Sequence, residues 1–247
     1  MIDPNLADAL IAAAGAGRLL VASDFDGTLS PLVSDPLAAA PQAGAMEAIT
    51  EVADLAGVDA VVVSGRSVEM LLELTGGPSG VRLIGTHGAQ QEGEPLPDNI
   101  QADVVSMTRA LSAVADEFEG TVIEPKPVGA ALHYRNAQDR AGAAEAAIRV
   151  GERFETRVLK GKEVVELVVG EGNKGTAIER VRTEKGSDVV IFFGDDVTDE
   201  DVFETLRSND VGVKVGQGPT AAPFRVNDPA AVVEALEMII AARTLPT

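Results

Sequence analysis

Two short, wholly apolar runs in this chain break off abruptly into carboxylates. Leu19-Leu-Val-Ala22 leads into Asp24-Phe-Asp-Gly-Thr28, and Val189-Val-Ile-Phe-Phe193 leads into Gly194-Asp-Asp-Val-Thr-Asp199. Apolar runs of this length, bounded by turn formers, predict strands buried on both faces, as in parallel sheets. Val58-Asp-Ala-Val-Val-Val63, ending at Ser64-Gly65-Arg66, and Val81-Arg-Leu-Ile84, ending at Gly85-Thr-His-Gly88, read as two more. Helical composition fills residues 43–56 and runs from Ser67 to Leu74, where Gly76-Gly77-Pro78 stops it. This βαβ rhythm predicts an α/β fold, with a doubly wound parallel sheet and right-handed crossovers.

Near Pro95-Leu-Pro97 the rhythm changes. A helix is expected over 100–117, then strands at 121–125 and 129–135 joined around Pro127-Val-Gly129. A second helix over 138–154 leads to strands at 156–159 and 164–169, with Lys160-Gly-Lys162 as their turn. Helix–hairpin–helix–hairpin predicts a small α+β domain, residues 97–170, inserted into a core made of residues 1–96 and 171–247. The parallel pattern resumes at Lys174 with a helix, the strand 189–193, another helix, Val211-Gly-Val-Lys-Val215 and a last helix from Ala230. An insert that splits a core predicts a lid over a cleft that holds the site.

Carboxylates placed just past parallel strands fall at the sheet edge where open α/β folds bind ligands. Asp24, Asp26, Asp195, Asp196 and Asp199 are then expected around one small volume, which is costly unless a hard cation neutralises them. All-oxygen ligands favour magnesium. The spacing of Asp24 and Asp26 suits a nucleophile that attacks phosphorus and a general acid/base that serves the leaving oxygen and then water. Gly27 permits the tight turn between them and Thr28 hydrogen-bonds within it. A lone Asp-X-Asp-Gly is also a common Asx turn. Ser64, at a strand end, and Lys174, at a helix start, strengthen the chemical reading. The first offers a donor to a transferring phosphoryl oxygen, the second a fixed cation.

The 247 residues carry 39 acidic and 20 basic side chains, a net charge of −19, which argues against a nucleic-acid partner. There is no cysteine, so disulfides and thiolate sites are excluded and a reducing cytoplasm is expected. The apolar runs are too short to span a membrane, and Ile11 to Ala22 contains Arg18 with no basic region before it, unlike a signal peptide. A monomer acting on a small molecule is expected. Residues 98–170 hold nine Lys/Arg against twelve Asp/Glu, so the insert is much less acidic than the rest. Either this is a differently solvated face, or Lys126, Arg135 and Lys162 look toward the site.

The order of Asp-X-Asp-Gly-Thr, Ser, Lys and Gly-Asp-Asp-X-X-Asp resembles the haloacid dehalogenase superfamily of phosphohydrolases. More narrowly the chain resembles the trehalose-6-phosphate phosphatase family, through Ser64-Gly-Arg66, Gly85-Thr-His-Gly88, Ile123-Glu-Pro-Lys126, His133-Tyr-Arg135, Gly161-Lys162 with Glu166, Asn173-Lys-Gly175 and the string Gly194–Phe203. The resemblance runs from about residue 20 to residue 227. It implies a Rossmann-like core with an α/β cap, and hydrolysis of a phosphorylated disaccharide through a phosphoaspartate. By position it implies Asp24 as nucleophile and Asp26 as acid/base, with phosphate held by Lys174 and Ser64. Asp24, the Asp26 carbonyl and Asp195 are implied as magnesium ligands, with Asp196 and Asp199 supporting them. Glu124, Lys126, Arg135, Lys162 and Glu166 match the family's sugar-gripping positions. Arg66 is either a substrate contact or a loop brace, and His87 is expected to lock its loop. One of His133 and Tyr134 must face the cap interior, and His133 is assigned that structural role. Gln90 stands where a Glu is expected, which would alter a substrate contact. Two alternatives are a related phosphatase for another sugar phosphate, such as sucrose phosphate or glucosyl-phosphoglycerate, and a phospho-accepting signalling receiver.

Overall fold

The structure is a computed structural model that describes residues 2–33, 35, 38–93, 98–170 and 172–244. The change of rhythm expected at Pro95-Leu-Pro97 lies outside the described residues. In chain order the elements are α1 (Pro4–Ala14), β1 (Leu19–Ser23), α2 (Ala45–Ala53), β2 (Val58–Val63), α3 (Val68–Thr75), β3 (Val81–Gly85) and β4 (Gln90–Gln91). Next come α4 (Asp98–Glu117), β5 (Val122–Lys126), β6 (Gly129–His133), α5 (Arg140–Arg153), β7 (Arg157–Gly161) and β8 (Val164–Val168). The chain ends with α6 (Lys174–Lys185), β9 (Val189–Gly194), α7 (Val197–Phe203), β10 (Val211–Val215), β11 (Phe224–Val226) and α8 (Pro229–Thr244). Cα packing divides it into two compact units, Met1–Glu92 with Asn173–Thr247, and Gly93–Gly172.

In the larger unit the apolar runs pair with one another because neither of their faces meets water. The sheet order is β11-β10-β9-β1-β2-β3-β4, parallel throughout except for β3 with β4. Leu19 and Val21 of β1, with Ile191 and Phe193 of β9, pack into a core completed by α1, α2, α3 and α8. Leu20 and Ala22, with Val190 and Phe192, pack into a second core under α6 and α7. Two faces, each with its own helical cover, explain why these strands show unbroken apolar runs instead of alternation. Strands are added to either side of β1, so the winding reverses at the β1–β9 pair, where ligands of such sheets bind. Ser23 pairs with Phe193 on one side and Val62 on the other, which brings Asp24, Gly194 and Ser64 to one edge.

Three elements of this unit were not predicted: α1, β4 and β11. Helix α1 does carry a start signal, Pro4 in its first turn with the Asp3 side chain accepting from Asn5 N. Strands β4 and β11 have two and three residues, too few for any period to show.

The smaller unit, taken by itself, is an antiparallel sheet of order β5-β6-β8-β7 with α4 and α5 packed on one face. Pro125 and Pro127 fall on and just past β5, an edge strand, where a missing N–H is tolerated. The second hairpin differs from expectation. Gly161 pairs with Val164, so the turn is Lys162-Glu163 and not 160–162. Lys160 continues the strand opposite Val165, and Glu163 takes the positive φ, +62°. Among the described residues no helix is long and apolar enough to cross a membrane.

Candidate active site

Asp24 follows β1 directly, and its N–H continues the ladder by donating to the Phe193 carbonyl at 2.9 Å. Phe25 points into the core, fully buried, while its carbonyl accepts from the N–H groups of Thr28, Leu29 and Ser30. The knot so formed anchors the ring between a buried Asp24 and a partly exposed Asp26. Gly27 sits at φ +80°, and a Cβ there would stand 2.0 Å from Asp195 Oδ2. Its missing side chain is therefore what lets the turn after β9 close over the turn after β1. Thr28 is buried and contributes through its backbone. Its hydroxyl has no hydrogen-bond partner among the described residues, unlike the turn contact expected for it.

Lys174, the first residue of α6, reaches this edge with 2% of its surface exposed. Its Nζ lies 2.9 Å from Asp24 Oδ1 and 2.8 Å from Asp199 Oδ1. The other oxygen of Asp199 accepts from Asp196 N at 2.8 Å, so both of its oxygens are engaged. Oxygens of Asp24, Asp195 and Asp199 all lie within 4.8 Å of one another. Asp196 is exposed at the start of α7.

The electrostatics follow from one cation among three carboxylates. Burial pushes the Asp24 carboxyl well above its usual range, and the Asp199 and Asp195 charges push the same way, against Lys174. Burial, followed by Asp199 and Asp196, pushes Asp195 up to about 6. Burial alone would lower the Lys174 ammonium, but Asp199 and Asp24 outweigh it and hold the group firmly protonated. Asp195 Oδ1 is buried without a hydrogen-bond partner among the described residues. An orphaned carboxylate oxygen inside an acidic cluster, with only oxygen donors around it, fits a hard divalent cation.

Asp26 is held away from this cluster by Arg66, which donates from Nε and Nη2 to its two oxygens at 2.6 Å each. Arg66 lies over the Phe25 ring at 5.9 Å, so in this structure it braces Asp26. Ser64, at the end of β2, is buried and its Oγ accepts from Arg66 N at 3.1 Å. His87 takes φ +56°, donates its N–H to the Ser64 carbonyl and packs its ring on Gly65. Gln90 turns inward to accept from Val68 N and Thr86 Oγ1 and to donate to Glu69. It locks this loop to the start of α3.

In the smaller unit, one sheet face packs on the helices and the other carries charge. Glu124 pairs with Ala131 and Ala131 with Glu166, while Lys126 pairs with Gly129. The small residues of β6 let Lys126 Nζ reach across that strand to Glu166 Oε2 at 2.6 Å. His133 lies on this same open face, 2.7 Å from Glu124, and Tyr134 packs on the core, the reverse of the assignment made from sequence. Arg135 and Lys162 lie exposed beyond the strand ends, and Arg135 pairs with Glu163 at 3.0 Å.

Sequence reasoning passed over Lys214. It is 4% exposed in β10 and binds the backbone carbonyls of Asp195 and Asp196. The signal was there, a single charge in the otherwise apolar Val211-Gly-Val-Lys-Val215.

The chain is similar to a trehalose-phosphate phosphatase of Mycobacterium avium (strain 104), 36% identical over 239 residues, 87% of this chain and 60% of that protein. The corresponding protein of Mycobacterium tuberculosis (strain ATCC 25618 / H37Rv) is 36% identical over 250 residues, 93% of this chain and 62% of its own. The chain thus spans about 60% of the length of these curated relatives. A solved trehalose-6-phosphate phosphatase of Aspergillus fumigatus superposes with a TM-score of 0.72 at 26% identity, covering 96% of this chain and 97% of that one. The family model described as trehalose-phosphatase matches residues 22–230, a span that contains the carboxylate cluster, Lys174 and the charged sheet face, and the chain belongs to that family.

Proposed function

We propose that this chain hydrolyses trehalose 6-phosphate to trehalose and phosphate, with magnesium as its ion and a phosphoaspartate on Asp24 as intermediate. The observation that carries the reading is the buried Asp24, held 2.9 Å from Lys174 beside Asp195 and Asp199 at the sheet's switch point. Asp24 and Asp195, with the Asp26 carbonyl, would hold the cation, which when bound supplies charge neutralisation between carboxylate and phosphate. Asp24 forms the new bond to phosphorus as the ester oxygen leaves, and Asp26 gives that oxygen its proton. Asp26 then takes a proton from the water that cleaves the acyl phosphate. Lys174 keeps Asp24 oriented and offsets phosphate charge. Ser64, whose Oγ accepts from Arg66 N, turns its hydroxyl proton toward the phosphoryl group. Arg66 must give up one face of Asp26 for that acid to serve the ester oxygen. Glu124, Lys126 and Glu166 present acceptors and a donor suited to sugar hydroxyls, with Arg135 and Lys162 flanking them.

The test is phosphate release from purified protein across a panel of sugar phosphates, with magnesium and with chelator. Trehalose 6-phosphate should exceed sucrose phosphate and simple hexose phosphates in kcat/KM, and chelator should abolish turnover. Asp26→Asn should lower turnover by roughly 10²- to 10⁴-fold. An Asp24→Asn protein that keeps its activity would defeat the assignment.

A further inference from the structure

Lys214 is a buried cation that the chemistry above does not use. Lys214 Nζ donates to the backbone carbonyl of Asp195 at 2.5 Å and to that of Asp196 at 3.4 Å, and lies 3.5 Å from Glu200 Oε1. Glu200, on α7, accepts in turn from Ala221 N at 2.8 Å and Thr220 Oγ1 at 3.2 Å, between β10 and β11. One ammonium group therefore fastens the turn after β9 to the neighbouring strand, and its carboxylate neighbour fastens α7 to the following loop. Burying an ammonium is expensive, and a methionine would fill the same apolar strand position without that cost. Here that cost is offset by the two carbonyls and Glu200, so what the lysine secures is the turn that carries Asp195.

We infer that Lys214 is a positioning residue for the metal-binding carboxylate of Asp195. By holding the carbonyls of Asp195 and Asp196 it fixes the direction in which the Asp195 side chain leaves its turn. The inference rests on the reading of Asp24 and Asp195 as ligands of a divalent cation. Two roles for the lysine predict opposite signs. A positive charge near a bound dication repels it, so if charge were the whole effect, neutralising Lys214 would tighten metal binding. If Lys214 acts as a tie, the same change loosens binding, because the carboxylate loses its orientation.

The experiment titrates Mn²⁺, a paramagnetic substitute for magnesium, into the full chain and follows free ion by electron paramagnetic resonance. Wild type, Lys214→Met, Lys214→Arg and Asp195→Asn are compared, with circular dichroism and thermal melts of each metal-free protein. Lys214→Met should keep its fold and bind Mn²⁺ about 10- to 100-fold more weakly, the usual size of an outer-shell loss. Lys214→Arg, which keeps a donor, should stay close to wild type. If Lys214→Met binds as tightly as wild type, or more tightly, the inference is overturned. A wild type that binds no Mn²⁺ overturns the metal reading itself and this inference with it, and that result appears before any Lys214 variant is compared. Should Lys214→Met fail to fold, Lys214→Gln is judged by the same criterion.

Discussion

Asp24, Asp195 and Asp199 bring more negative charge into one buried volume than Lys174 can offset, and the excess has a measurable pH signature. Asp195 is pushed up to about 6, first by burial and then by Asp199 and Asp196. An unfolded chain releases the same proton near the ordinary Asp value of about 3.9. Between those values the folded state holds a proton that the unfolded state has lost, so this group's contribution to stability falls as pH rises. Its penalty is complete above about pH 6 and fades as pH drops toward 4. A cation that binds only the folded protein relieves the penalty and adds stability by mass action, but it competes with the proton. Magnesium should therefore raise the Tm clearly at about pH 7.5 and much less at about pH 5, each measured against chelator. Equal increments at both pH values would show that the ion does not bind at these carboxylates.

At the scale of elements, the site depends on two turns, after β1 and after β9, that approach one another more closely than side chains permit. Gly27→Ala places a Cβ 2.0 Å from Asp195 Oδ2 at φ +80°, so strain and displacement of Asp195 act together. We expect a loss of about 1–3 kcal/mol in denaturant unfolding, with metal binding impaired beyond that loss. A variant with wild-type unfolding would show that the two turns are not in contact. The turn residues and the strands feeding them were legible in the sequence, because burial on both faces leaves an unbroken apolar run that ends sharply in charge. The meeting of Asp24 with Lys174, Asp195 and Asp199 was expected from their places at strand and helix ends, but which of the five carboxylates enter the cluster was not legible, since Asp196 is exposed and Asp26 turns to Arg66. That finer sorting depends on register, Ser23 beside Phe193 and Val62, and on the turn geometry that follows it, which no local pattern encodes. Lys214 could have been suspected as the one charge in its strand, but its partners are backbone carbonyls, which carry no sequence signature. His133 and Tyr134 stood at a strand end, where alternation predicts opposite faces without saying which residue turns inward. The two-residue turn at Lys162-Glu163 was hidden by Gly161, a turn former that in fact ends β7.

At the scale of the whole molecule, the hydrophobic cores separate cleanly by unit. Both cores of the larger unit are built only from residues outside 93–172, whereas the third core draws only on residues within that span, from Ile100 to Val169. Each unit buries its own apolar surface, so replacing residues 93–172 by a short Gly/Ser linker should leave the larger unit folded. The carboxylate cluster and Lys174 lie wholly within that unit, and Mn²⁺ binding should survive the excision. The charged face of Glu124, Lys126 and Glu166 would be lost with the insert, and with it, on the proposed function, the binding energy that the sugar moiety contributes to the transition state. The excised protein should then lose kcat/KM for trehalose 6-phosphate by on the order of a hundredfold or more, and its preference over hexose phosphates should collapse. If the excised protein retains that preference, recognition resides in the larger unit and the open face of the smaller sheet has another purpose. If Mn²⁺ binding vanishes although circular dichroism shows an intact fold, the metal site extends beyond the carboxylates of the larger unit.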